Sequence, residues 1–162
     1  MKYLVTQKML AMGGDYSVAD EKGNEVYYFD GKVFRIGGKK VAVLDSHKKE
    51  IARIKRKLFT FRPTYILRRN GLTAATVRKR GFSRRVRFVI DVPGSNDYEI
   101  IGDFIGKEYT IKRGSTDVAR VSKKFFGATD SYGVEVKSGD TMILLTAVIV
   151  VDMVLYTGLK TN

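Results

Sequence analysis

The sixteen residues from Thr141 to Tyr156 constrain this chain more than any others, because only Thr141, Thr146 and Asp152 among them are not apolar. A helix with no polar face must be enclosed on every side. The stretch falls short of the roughly 20 residues that cross a bilayer, and a charge sits in its last turn and a half. It is therefore read as a buried helix and not as an anchor. Gly139-Asp140 supplies the start, with Asp140 as N-cap, and Gly158 the stop. Whatever encloses this helix must come from the residues before it.

Those residues read as strands and turns. Lys2–Gln7, Lys32–Ile36, Thr64–Leu67, Val86–Ile90 and Tyr109–Lys112 mix β-branched, aromatic and polar side chains. Turn signals separate them: Lys22-Gly23-Asn24, Asp30-Gly31, Gly37-Gly38, Asn70-Gly71, Pro93-Gly94-Ser95-Asn96 and Arg113-Gly114. Asn70-Gly71 is the sharpest, a type I′ hairpin signature. About 12 short strands precede the helix, enough to close a barrel wider than its own side chains can fill. A 16-residue helix is about 24 Å long and a seven-residue strand about 23 Å, so the two match. The expectation is a mainly β protein: one domain over 1–162, strands in 1–138 forming a closed antiparallel barrel around a helix at about 140–157.

An internal repeat supports this. Ala52-Arg53-Ile54-Lys55-Arg56-Lys57-Leu58-Phe59 recurs 67 residues later as Ala119-Arg120-Val121-Ser122-Lys123-Lys124-Phe125-Phe126, with a weaker copy at Ala75–Phe82. The motif describes an outgoing strand with Ala and Ile or Val facing inward, a basic rim, and then a Phe plugging the corner. A barrel filled by its own helix leaves little interior for a ligand, which sends any binding activity to the outside or to a mouth.

Charge points to the same place. From Ile51 to Ile90 there is no Asp or Glu, yet 13 of the 30 Lys and Arg fall there; the other 17 equal the 17 carboxylates. The net charge of +13 thus arises in 40 consecutive residues. A concentrated positive field attracts phosphate backbones or anionic headgroups. The candidate anion-binding residues are Arg53, Lys55, Arg56, Lys57, Arg78, Lys79, Arg80, Arg84, Arg85 and Arg87. Alternation allows only about half of each strand's set to face outward. Phe59, Phe61, Tyr65, Phe82 and Phe88 interleave with them, a pattern shared with single-stranded nucleic-acid binders, although in a barrel alternation sends most such aromatics to the core.

Chemistry motifs are weak. No Cys is present, which removes thiolate metal sites, Cys nucleophiles and S-acylation, and a single His, His47, removes multi-histidine centres. Asp45-Ser46-His47 holds the letters of a triad, but three consecutive turn residues cannot aim at one another in relay. Gly102–Lys107 lacks one spacer of a phosphate loop, has Glu108 in place of Ser or Thr, and precedes no helix. Asp15 with Asp20 and Glu21, and Asp97 with Glu99, read as solvated turn carboxylates. Asp152, in an apolar helix, requires either a place at the barrel mouth or an inward Arg partner. No catalytic residue, metal site or cofactor is expected.

The ordered set Asp20–Val26, Arg53–Lys57, Pro63-Thr64-Tyr65, Tyr98–Gly102, Val121–Lys124, Asp130–Val134 and Ala147–Asp152 resembles the LURP-one-related family of tubby C-terminal-like domains, a superfamily that includes phospholipid scramblases. The resemblance covers essentially the whole chain and implies a twelve-stranded barrel around a hydrophobic C-terminal helix. It also implies phosphoinositide-type binding through basic barrel residues. The scramblase pattern is departed from: the chain has no Pro-rich N-terminal extension, no Cys and no acidic Ca²⁺ loop. The functional expectation is non-enzymatic binding of anionic phospholipid headgroups by a cytoplasmic protein, peripheral at the inner membrane face. The alternatives are nucleic-acid binding and a scaffold for an acidic protein partner.

Overall fold

A computed structural model describes residues 1–8, 14–31, 34–35, 38–81, 86–94, 97–125 and 131–159. Among the described residues thirteen strands precede one helix: β1 (Lys2–Lys8), β2 (Asp15–Ala19), β3 (Glu25–Asp30), β4 (Phe34–Arg35), β5 (Gly38–Asp45), β6 (Glu50–Arg56), β7 (Thr64–Arg69), β8 (Leu72–Arg80), β9 (Arg87–Asp91), β10 (Tyr98–Asp103), β11 (Glu108–Arg113), β12 (Thr116–Ser122), β13 (Ser131–Val136) and α1 (Thr141–Leu159). A 3₁₀ turn, Lys123–Phe125, follows β12. Twelve strands form a closed antiparallel ring in which each pairs with its neighbour in sequence, the two-residue β4 standing outside it. The ring shuts where β1 meets β13, with Lys2 opposite Glu135 and Thr6 opposite Ser131. On the other side of β4, β3 pairs directly with β5.

Alternation along each strand fills the interior. Every ring strand contributes a side chain no more than 2% exposed, from Val5 of β1 and Phe29 of β3 round to Val121 and Val134. These side chains meet α1, where Leu144, Leu145, Ala147, Val148, Ile149 and Val151 are fully buried. Enclosing the helix in a ring of β-branched and aromatic residues buries every residue from 143 to 154, the dominant favourable contribution to folding.

Local signals behave as their chemistry dictates. The Asp140 carboxylate accepts the Ile143 N–H at 3.1 Å and its carbonyl accepts the Leu144 N–H at 3.0 Å, so Asp140 is the N-cap. Asn70 and Gly71 have φ of 52° and 74°, as a type I′ turn requires. Gly158 is not the stop, because α1 continues to Leu159. Asp15 is not solvated: it is fully buried at the start of β2, where its carboxylate accepts from the Tyr28 hydroxyl at 2.7 Å and the Gly31 N–H at 2.9 Å. Burial, and then that bond, push the Tyr28 hydroxyl up to about 12.

The ring has two mouths. The entry end surrounds the start of α1 and carries the β2–β3, β5–β6, β7–β8, β9–β10 and β11–β12 turns. There Arg69 holds Asp140 through a pair at 3.1 Å. The exit end surrounds the far part of α1 and carries the β6–β7, β8–β9, β10–β11 and β12–β13 connections. There Lys107, from the β10–β11 turn, pairs with Asp152.

Candidate basic rim at the exit end

β6, β7, β8 and β9 are consecutive staves of the wall, so the described strands of the acid-free segment lie side by side. β6 and β8 both run toward the exit end, and their last residues deliver Arg56 and Arg80 to its rim. The rim is tied together there: the Lys57 N–H donates to the Thr64 carbonyl at 2.8 Å, and the Lys79 N–H to the Pro63 carbonyl at 3.2 Å. Arg53, Lys55 and Arg78 point outward, in antiphase to buried Ala52, Ile54 and Val77. Arg56 and Lys79 have the inward phase but lie beyond the core, at the mouth.

The candidate cations divide by partner. Arg53 pairs with Glu50 at 2.7 Å, Arg87 with Glu99 at 2.8 Å, and Arg78 with Asp91. Lys55, Arg56, Lys57, Lys79 and Arg80 have no carboxylate partner among the described residues. The register puts Arg87 opposite Arg80, and Arg78 level with Thr64, two steps nearer the exit end than Lys55, so matched and unmatched cations share this end of the wall. Arg84 and Arg85 lie outside the described residues, as does Phe82.

Two further cations on this rim escaped the candidate set. Lys123 and Lys124 are exposed at the end of β12, the position that Arg56 and Lys57 hold at the end of β6. The 67-residue repeat carries that signal, since Ala119 and Val121 are buried as Ala52 and Ile54 are.

The aromatics split against expectation. Tyr65 and Phe88 are core residues at 3% and 0% exposure, but Phe59 and Phe61 are 103% and 98% exposed, and Leu58 is 45%. Phe59 plugs no corner. Alternation applies only while the chain stays in the sheet, and β6 ends at Arg56; beyond it the turn lifts Phe59 into solvent with φ of 58°.

Below the rim lies a buried polar cluster. Asp152, 5% exposed, pairs with Lys107 and accepts the Tyr132 hydroxyl at 2.7 Å. Its partner is therefore a lysine from a turn, not an inward arginine. Burial raises the Asp152 carboxyl above the ordinary range, with Lys107 and Tyr132 opposing. Burial first, then the Asp152 charge, push Tyr132 and Tyr109 well up. Gly102–Lys107 is thus a hairpin whose lysine faces inward to the helix. Asp45-Ser46-His47 is likewise a turn: the Asp45 carboxylate accepts the His47 and Lys49 N–H groups.

A groove of about 660 Å³ opens near the entry end, lined in part by Arg53, Arg68, Arg69 and Met142. Its arginines already have acceptors: Glu50 for Arg53, the Gly71 carbonyl for Arg68, and Asp140 for Arg69. It is a poorer anion site than the rim. No described helix is long and apolar enough to cross a membrane.

A closed twelve-strand barrel plugged by its C-terminal helix, with this ordering of motifs, defines a class. The LURP-one-related family profile matches residues 1–152, and the chain belongs to that family. It is 30% identical over 157 residues to the protein YxjI of Bacillus subtilis (strain 168), covering 96% of this chain and 94% of that one. The X-ray structure of the Arabidopsis thaliana protein AT5G01750 superposes with a TM-score of 0.69 at 14% identity, over 95% of this chain and 91% of that chain. The latter likeness is one of fold. Family and barrel together are consistent with a tubby-like binding domain.

Proposed function

We propose that the protein is a non-enzymatic domain that binds anionic phospholipid headgroups, phosphoinositide-like in character, at a membrane surface. The observation that carries this reading is the set Lys55, Arg56, Lys57, Lys79 and Arg80, which have no carboxylate partner among the described residues and lie toward the exit ends of β6 and β8, the two strands that flank β7. Guanidinium groups fork onto phosphate oxygens, and lysines add point charge.

Co-sedimentation of nuclease-treated protein with neutral, phosphatidylglycerol and phosphoinositide vesicles tests it. Runs at about 50 and 200 mM salt separate a headgroup site from a diffuse field, because screening weakens the latter steeply. Each cation near an anionic surface contributes roughly 1 kcal/mol, so K57Q/R80Q should weaken binding about 30-fold. E50Q/R53Q removes a matched pair and should leave binding within about twofold. Equal losses from the two double variants would sink the assignment to the rim.

Exposed Phe59 and Phe61 beside the same cations favour a second reading, single-stranded nucleic acid stacked on aromatics. A high 260/280 ratio that survives salt washing, without vesicle binding, would select it. Loss of all binding at the higher salt would shift the reading toward an acidic protein partner.

A further inference from the structure

The β6–β7 turn is apolar where a basic rim should be most polar. Leu58, Phe59 and Phe61 project from it, and Ile105 projects 87% exposed from the β10–β11 turn at the same mouth. Scattered surface hydrophobics are ordinary, but two phenylalanines with nearly their whole surfaces in water are not. Phe59 also holds φ of 58°, a conformation that a bulky side chain rarely adopts and that glycine would take freely. The turn is not loose: besides the Lys57–Thr64 bond at its base, the Thr60 hydroxyl donates to the Lys57 carbonyl at 3.3 Å and the Thr64 hydroxyl to the Arg62 carbonyl at 3.0 Å. A braced turn thus displays aromatic side chains outward against backbone preference. Lys57 and Arg62 flank it, and the rim around it is cationic.

We propose that the exit end faces the bilayer and that Leu58, Phe59 and Phe61, with Ile105 on the β10–β11 turn farther round the same mouth, enter the interfacial layer of an anionic membrane, so that the barrel stands end-on. This rests on the lipid reading above and adds to it a depth and an orientation. Charge complementarity selects the occupant: apolar tips ringed by Lys and Arg match acyl chains beneath anionic phosphates. Stacking on bases would use the two phenylalanines but leave Leu58 and Ile105 without a role, whereas hydrocarbon accommodates all four. Leu72, 74% exposed at the start of β8, marks the opposite end and should stay in water.

The chain contains no Trp, so F59W, I105W and L72W each carry a single reporter. Each is mixed with phosphatidylcholine/phosphatidylglycerol vesicles whose acyl chains are brominated. F59W and I105W should blue-shift and be quenched, and L72W should do neither. F59S/F61S should lose roughly tenfold in vesicle affinity per phenylalanine, since each loses a buried aromatic, while keeping its far-ultraviolet spectrum. Protein that pellets with F59W unquenched would refute insertion and leave headgroup binding standing. Quenching of L72W would refute the orientation. Failure of every variant and the parent to pellet would end both readings. Conversion of a dimer to a monomer by F59S/F61S, with vesicle binding unchanged, would show that a second copy covers the tips.

Discussion

Replacing Lys107 by Met should destabilise the protein in a pH-dependent way. The pair it forms with Asp152 is enclosed, with side-chain exposures of 21% and 4%. Removing one partner of a buried pair costs about 3–5 kcal/mol, because the other charge is left uncompensated. Tyr132 still donates to Asp152 at 2.7 Å, and Lys107 reaches partly into solvent, so the lower figure, about 3 kcal/mol at neutral pH, is expected. The sign of the pH dependence follows from the burial that raises Asp152. A carboxyl whose folded value lies above its unfolded one contributes its full stability below the unfolded value and loses it as pH rises through the folded value. Without Lys107 the opposing attraction is gone, the folded value rises further, and the window of loss extends upward. Urea unfolding at about pH 5 and about pH 7.5 should therefore show a smaller deficit for K107M at the lower pH. K107M/D152N should recover at least about 2 kcal/mol of the loss, as Asn keeps an acceptor for Tyr132 and carries no charge. A deficit equal at both pH values, or a double variant no better than the single, would refute the reasoning.

Two further outcomes follow from the fold. D140A should cost about 1–2 kcal/mol in chemical unfolding, since it removes the cap and leaves Arg69 unpaired. D140N keeps an N-cap acceptor and should lose under about 1 kcal/mol, the pair with Arg69 being substantially exposed; equal losses would assign the whole effect to the ion pair. Gly102, at φ of 136°, pairs with Tyr109, and a Cβ there would meet the Glu108 carbonyl oxygen and Tyr109 Cα at 2.7 Å. G102A should lower stability by roughly 2 kcal/mol or more in thermal unfolding, through strain and a backbone clash; an unchanged midpoint would show that β10 adjusts freely.

Much of the fold was legible because it rests on local rules. Asp140 before an apolar run and Asn70-Gly71 between strands each specify their geometry without distant partners. The helix was legible through necessity: no polar face meant enclosure. The site was harder to read. Arg53 and Arg78 look in sequence like Lys55 and Arg80, and only folding reveals that Glu50 and Asp91 neutralise the first two. Asp152 finds Lys107 across 45 residues of chain, a pairing no spacing rule anticipates. Phe59 departs from its pattern for a different reason: the inward phase of β6 ends with the strand at Arg56, and no sheet beyond it enforces alternation.

The order of elements also shapes how such a molecule can come into being. Translation delivers the twelve staves of the ring before the residues that fill it. Until α1 leaves the ribosome, the inward faces of β1 to β13 have no interior to close upon, and the β1–β13 seam joins segments about 130 residues apart. Seam closure before helix insertion would trap an empty, hydrophobic-lined ring; helix insertion into an open, curling sheet avoids it. The nascent chain is therefore most exposed to proteases and chaperones just before its central helix arrives, and folding from the N-terminus alone cannot end that exposure.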